Sequence, residues 1–351
     1  MSAHTRIFFA GQFEPAVNGQ SVATADLARL IESRGVKLRR HVTSGAAWKR
    51  IWRYLQGAIL ILIGPERLVY LSVNTWRGLS LNIIMAVAAR LRGKSLLAHH
   101  HNYAAISRYH PLMAALIRVG GGRCAHLANC VSMARELARR YPGIGEAISL
   151  SNIGSVDVAL HPSARPARPI TVGHMSNLIE EKGADTVIDA VTAMRAAGIE
   201  VRLILAGPDT ERQAQRQIAR ARNLLGEAFG YRGPVYGAAK QAFFDAVDIF
   251  AFATRYDEET QGIVNLEAMA CGKPVVAFAQ CCIASDIGEQ GGLAVPAGSD
   301  FTAALTEVAE AFAQDPDGVS RRARQRFEQL REVYHAEIEH VLGIFMTGRT
   351  R

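Results

Sequence analysis

Short apolar runs and amphipathic stretches take turns along this chain. Strand-type runs at 6–10, 68–73, 95–101 and 124–129 are separated by helical spacing at 21–33, 81–91 and 112–118, with a further helix after Ser132. Parallel strands need crossover connections, so this alternation predicts a doubly wound parallel sheet. Around residues 154–168 the pattern dissolves into SVDVALHPSARPARP, whose three prolines mark a linker. Beyond it the same alternation restarts. A strand at 170–173, a helix at 184–197, a strand at 201–206 and a charged helix through Arg222 precede a short strand near 235–236 and a strand at 248–254. The last pattern, 320–345, is a long amphipathic helix. A chain of 351 residues holds two domains of this kind, each with its own core. Doubly wound sheets bind ligands beyond the carboxyl ends of their strands, which directs attention to a cleft between two such domains.

The most informative stretch is TRYDEETQGIVNLEAMACGKPVVAF, residues 254–278. An apolar run ends in a polar loop, and Ile263, Val264, Leu266, Met269 and Ala270 then repeat at helical spacing. The helix stops at Cys271-Gly272, and Pro274 opens a new β-rich run. Glu259 falls in the loop and Glu267 in the helix, eight positions on. A helix start beside a polar loop favours a phosphate, because its free N–H groups and dipole attract negative charge. Carboxylates flanking it accept hydrogen bonds from the vicinal hydroxyls of sugars. If the spacer were wholly helical, the two acids would stand ~12 Å apart, about the reach from a ribose past its phosphates to an attached sugar.

This segment resembles the E-x7-E element of retaining, GT-B-fold glycosyltransferases of the family 4 type (glycosyl transferases group 1). Its acid spacing, Gly262, Asn265, the Glu-Ala-Met run and Gly-Lys-Pro-Val-Val all fit, and the resemblance extends over nearly the whole chain. It implies an α/β GT-B fold: two doubly wound, Rossmann-like domains facing across a cleft. Residues 1–160 would form the acceptor-side domain and 161–330 the nucleotide-sugar domain, with 331–351 a helix crossing back to the first. By the same resemblance Glu259 contacts the donor sugar and Glu267 the ribose. The backbone of Thr260, Gln261, Gly262, Ile263 and Val264 faces the sugar and the diphosphate. Lys182, in SNLIEEKGADTVIDAV, matches the family's lysine-glycine loop and would hold the donor's phosphates. Many relatives carry an arginine five residues earlier on those phosphates, where this chain has Asn177. Gly19, in EPAVNGQSVATADLARLIESRG, matches an N-terminal glycine loop that meets the diphosphate or the acceptor. His101, followed by Asn102, matches a first-domain histidine that touches the donor sugar. The base is expected near Tyr236 to Lys240.

The implied activity is glycosyl transfer of the hexosyltransferase type, from a nucleotide diphosphate sugar to a hydroxyl acceptor, a glycan or lipid-linked glycan, with retention. Glu259, His101 and Lys182 would carry the chemistry, with no metal and no further cofactor. An epimerase or hydrolase of the same fold, or a sugar-nucleotide-binding module without turnover, stands as the alternative.

The remaining features refine this picture. His99, His100 and His101 end a strand, so the first and third share a face and the second points away. No Cys or carboxylate lies near them at a familiar metal-ligand spacing. Asp315-Pro316-Asp317 spells the letters of a metal-diphosphate motif but falls where a turn between helices is expected. A net charge of +8 favours an anionic partner, and no nucleic-acid-binding signature accompanies it. The five cysteines form no C-x-x-C pair and fit reduced thiols. The strand at 6–10 follows Met1 directly, with no signal-peptide pattern, which suits a cytoplasmic protein. Trp48, Lys49, Arg50, Trp52, Arg53 and Tyr54 precede an apolar run ending at Ile63. Two readings of this 48–63 region stay open: a peripheral docking surface on the cytoplasmic face of an anionic membrane, or one helix with a buried apolar face.

Overall fold

The computed structural model describes residues 6–13, 19–76, 78–157, 159–162 and 169–350. Part of the expected linker, and the loop just before Gly19, lie outside the described residues. The chain divides into two compact units, Met1–Ser155 with Val333–Arg351, and Val156–Glu332.

The first unit carries strands β1 (Arg6–Gly11), β2 (Lys37–Val42), β3 (Leu68–Val73), β4 (Ser95–His100), β5 (Cys124–Ala128) and β6 (Glu146–Ser149). They form one sheet in the order β2-β1-β3-β4-β5-β6, with parallel pairing throughout. Ile7, Phe9, Leu68, Tyr70, Leu97 and Leu127 point into a core that helix Gly19–Ser33 closes with Leu27, Ala28 and Ile31. The end of the helix Pro316–Thr347 belongs to this unit and adds Ile338, Val341, Leu342 and Phe345 to the same core. Its Glu337 accepts hydrogen bonds from Ser149 Oγ at 2.5 Å and from the Ser151 amide at 3.0 Å.

The second unit carries β7 (Ile170–Met175), β8 (Val201–Ala206), β9 (Phe229–Tyr231), β10 (Ile249–Phe252), β11 (Val275–Phe278) and β12 (Gly292–Val295). Their order is β12-β11-β10-β7-β8-β9, again parallel throughout. Helix Ala184–Ala196 turns Val187, Ile188, Val191 and Met194 onto this sheet, the i, i+1, i+4, i+7 stripe of a core-facing helix. β7 and β10 are neighbours in the sheet although far apart in sequence. The chain leaves β7 towards β8 and leaves β10 towards β11, in opposite directions. That reversal is a topological switch point, where open parallel sheets leave a crevice beyond their strand ends.

Every strand absent from the sequence reading, or misplaced by it, lies at a sheet edge. β2, β6 and β12 were not anticipated, and the short strand expected near 235–236 is at 229–231. An edge strand is half solvated and needs no continuous apolar run. β2 reads KLRRHV and buries His41 alone. Asp315 caps the following helix, accepting from the Gly318 amide at 2.9 Å, so the D-x-D letters spell a helix start. Cys124, Cys271 and Cys281 are free thiols whereas Cys130 and Cys282 are not, which departs from the expectation of five reduced thiols.

Candidate active site

The second unit gathers the singled-out residues at its switch point. After β7 the chain turns through Ser176-Asn177-Leu178 and a single 3-10 turn, Glu180–Lys182, before helix Ala184–Ala196. Within β7, buried His174 donates from Nδ1 to the Ala251 carbonyl of β10 at 2.9 Å. Its Nε2 therefore accepts from Ser176 Oγ, also at 2.9 Å. Ser176 Oγ in turn accepts from the Leu178 amide at 3.0 Å. Leu178 is fully buried with φ 52°, a left-handed conformation that leucine adopts only when its surroundings force it. This chain of bonds fixes the turn against the neighbouring strand. Burial, with a smaller contribution from the charge of Lys182, lowers the His174 pKa to about 4, so the ring is neutral.

Gly183 explains why the lysine is followed by glycine. Its φ is 80°, and a Cβ there would stand 2.0 Å from the Ala253 carbonyl oxygen, just past β10. The two loops touch backbone to backbone at this residue. Gly183→Ala is expected to destabilise the protein by about 3 kcal/mol or more, combining left-handed strain with a backbone clash. A thermal melt within about 2 °C of wild type would show that the loops do not depend on this contact.

That contact brings Lys182 to Glu259. Lys182 Nζ lies 2.5 Å from Glu259 Oε2, and both side chains are mostly shielded, at 16% and 13% exposure. The ammonium also sits 4.7 Å from the centre of the Tyr256 ring and 5.9 Å from that of Phe252. Aromatic faces on a cation hold its position without neutralising its charge. Tyr256 donates through its hydroxyl to Glu258 at 2.8 Å, and burial together with Glu258 pushes its own pKa up. The Arg255 amide donates to the Glu181 carbonyl at 2.6 Å, a second tie between the two loops. Tyr256 and His174 escaped the sequence reading. Tyr256 stands three residues before Glu259, and that proximity was the one available signal.

The helix after the loop starts at Ile263, not at Glu259, so the spacer between the acids is half loop and the fully helical separation does not apply. Gly262, at φ 61°, is its N-cap, and a Cβ there would come within 2.9 Å of Asn265 Nδ2 and 3.1 Å of Phe252. Asn265 is buried, and neither end of its amide has a partner among the described residues. Glu267, four residues into the helix, is buried as well. Its Oε1 accepts from Lys240 Nζ at 2.6 Å, while Oε2 has no partner among the described residues. Burial raises the Glu267 pKa, and the Lys240 ammonium opposes that shift. One carboxylate oxygen is thus committed to the protein and the other is left to accept. Thr260 and Gln261 are buried between the two acids.

The other candidates fall elsewhere. Asn177 is exposed in the β7 loop, and Tyr236, 74% exposed, precedes the helix Ala238–Asp245 that carries Lys240. Gly19 and His101 belong to the first unit, where Gly19 opens its helix and His101 follows β4. His99 and His101 share a face as expected, with ring centres 3.8 Å apart. His100 points away and meets His126 Nδ1 through its Nε2 at 2.9 Å. Both ring nitrogens of His101 are buried without a partner among the described residues, and burial lowers its pKa to about 3.

Known proteins add an independent line. Residues 168–315 match the model of the glycosyl transferases group 1. The matched group 1 stretch holds Lys182, Lys240, Glu259 and Glu267 together. No curated protein matches the chain. Among solved structures, HepE of Anabaena, in complex with UDP and glucose, is 18% identical with a TM-score of 0.71, over 96% of this chain and 99% of that one. Sucrose-phosphate synthase from Thermosynechococcus elongatus is 15% identical with a TM-score of 0.75, over 96% and 98%. A glycosyltransferase from Rickettsia africae is 12% identical with a TM-score of 0.71, over 99% of each chain. At such identities the likeness concerns the fold, which is GT-B: two Rossmann-like parallel-sheet domains.

Proposed function

We propose that this protein is a retaining glycosyltransferase that moves a hexosyl unit from a nucleoside diphosphate sugar to a hydroxyl of a glycan or lipid-linked glycan. The observation that carries the reading is the Lys182–Glu259 pair at the switch point of the second sheet. Departure of a nucleoside diphosphate concentrates negative charge on its phosphates, so preorganised positive groups there lower the barrier. Lys182 supplies a full charge, held by two aromatic faces. The first-turn amides of Ile263 and Val264 supply the partial charge of a helix start. Glu259, released when Lys182 turns to phosphate, accepts hydrogen bonds from sugar hydroxyls. The Oε2 of Glu267, without a partner among the described residues, accepts from a ribose hydroxyl, while Lys240 holds Oε1 and opposes the protonation that burial favours. Tyr236 and Lys240 border the space for the base. His101 and Gly19, in the first unit, take their donor contacts from the resemblance, as does retention.

HepE was solved with UDP and with UDP-glucose, which makes uridine nucleotides the first to try. A true ligand at a hundred times its Kd stabilises the fold by about 2.7 kcal/mol, visible as a thermal shift. Across UDP-, GDP- and ADP-sugars, one base is expected to stand out. Lys182→Ala should weaken binding of that nucleoside diphosphate by about tenfold or more and leave the nucleoside unaffected. An equal loss for both would place Lys182 away from the phosphates. Release of free sugar without any acceptor, at the full rate, would point to a hydrolase or epimerase instead.

A further inference from the structure

Helix Ala47–Ile63 has two apolar faces, and the fold uses only one. Tyr54, Gly57, Ala58 and Ile61, at the spacing of a single helical stripe, are buried in the first unit. Roughly 140° round the helix lies a second stripe, Trp48, Ile51, Trp52, Leu55, Ile59 and Ile63, whose members are between 41% and 72% exposed. A soluble helix normally turns charge to the solvent opposite its core face. Here the charged residues, Lys49, Arg50 and Arg53, sit on one flank, and all are basic. The Lys49 ammonium lies 5.5 Å from the centre of the Trp48 ring. The neighbouring helix Gly78–Leu91 packs against this one, also lacks any acidic side chain, and leaves Ile84, Val87 and Leu91 exposed.

We propose that this exposed face docks in the plane of an anionic lipid bilayer, with Trp48 and Trp52 at headgroup level and the basic flank on lipid phosphates. Exposed tryptophan, a continuous aliphatic stripe and one-signed charge are the combination an interfacial helix needs. No helix among the described residues is long and apolar enough to cross a membrane, and 17 residues cover ~25 Å lying flat. A second copy of the chain is the other occupant to weigh. A two-fold contact of this face would set a basic flank against a copy whose helices Ala47–Ile63 and Gly78–Leu91 hold no acid to answer it, whereas lipid phosphates complement the flank.

The proposal is independent of the donor site, and its test uses no nucleotide. The purified chain is mixed with phosphatidylcholine vesicles with or without 30 mol% (about one third) phosphatidylglycerol, and flotation and tryptophan emission are read. The expected result is binding to the anionic vesicles, weakened by salt, with a blue shift of emission. Trp52→Ser combined with Ile59→Ser should weaken binding by about tenfold or more, and Lys49→Gln combined with Arg50→Gln should remove the preference for anionic lipid. Both pairs are exposed, so unchanged melting temperatures are expected, and Val333→Ser on another exposed position serves as the control. Absence of vesicle binding by the wild type overturns the proposal. So does a concentration-dependent dimer that Trp52→Ser with Ile59→Ser dissolves while lipid binding stays the same.

Discussion

Glu259→Ala is expected to abolish glycosyl transfer, by about a thousandfold or more, while binding of the nucleoside diphosphate stays within about twofold of wild type. The asymmetry follows from what Glu259 touches. Its carboxylate pairs with Lys182, the group assigned to phosphate, and occupies that ammonium until a phosphate replaces it. Removing the acid deprives the sugar of its acceptor but frees the lysine, so nucleotide affinity has no reason to fall. Lys182 keeps its seat over Tyr256 and Phe252 in the variant, because the rings hold it without the acid. Glu259→Gln sharpens the test, since it keeps the shape, removes the charge and offers one acceptor oxygen. Its transfer rate should lie between those of wild type and alanine. Calorimetry with the nucleoside diphosphate and steady-state transfer with the intact donor measure the two halves. Wild-type transfer by Glu259→Ala would take Glu259 out of the reaction. A tenfold loss of nucleotide binding would make it a scaffold for the Lys182 loop.

Stability should fall as the pH drops from about 7 to 5, through the buried histidines. Burial lowers the pKa of His126 in the first unit and of His174 in the second to about 4, and that of His101 to about 3, from an ordinary 6.5. His99 and His100 move in the same direction, again because burial disfavours the charged ring. Between pH 6.5 and the lowered value the folded ring stays neutral while the unfolded chain takes up a proton. The unfolded state then binds more protons, so stability is complete above about 6.5 and is lost as the pH falls towards about 4. For one histidine moved to about 4, the loss at pH 5 is about 2 kcal/mol. Two or three such groups in one unit are a large share of the 5–15 kcal/mol typical of a folded domain. Urea unfolding at pH 7.5 and 5.0 should show the midpoint falling, and imidazole proton shifts should stay at their neutral positions down to pH 5 in the folded protein. A level midpoint, or rings that titrate near 6.5 in the native state, would contradict buried neutral histidines.

The chain carried its fold class in plain view, and for a physical reason. Central parallel strands are covered on both faces, so β1, β3, β4, β5, β7, β8, β10 and β11 must be apolar along most of their length and are readable as runs. Edge strands carry no such demand, which is why β2, β6, β9 and β12 were absent or misplaced. The acids and the lysine of the candidate site were legible too, because a helix start, a glycine and paired carboxylates have local signatures. Tertiary structure alone decided how they meet. Lys182 and Glu259 are 77 positions apart, and their contact exists because β7 and β10 are adjacent across a reversal of strand order. Likewise Lys240 reaches Glu267 across 27 positions, and His174, an ordinary strand residue in the sequence, bonds across to β10. The pattern along a helix shows that it has apolar faces, but which of them the core covers depends on its neighbours. Helix Ala47–Ile63 covers one stripe and leaves the other to solvent, because packing is settled between elements and periodicity only within one.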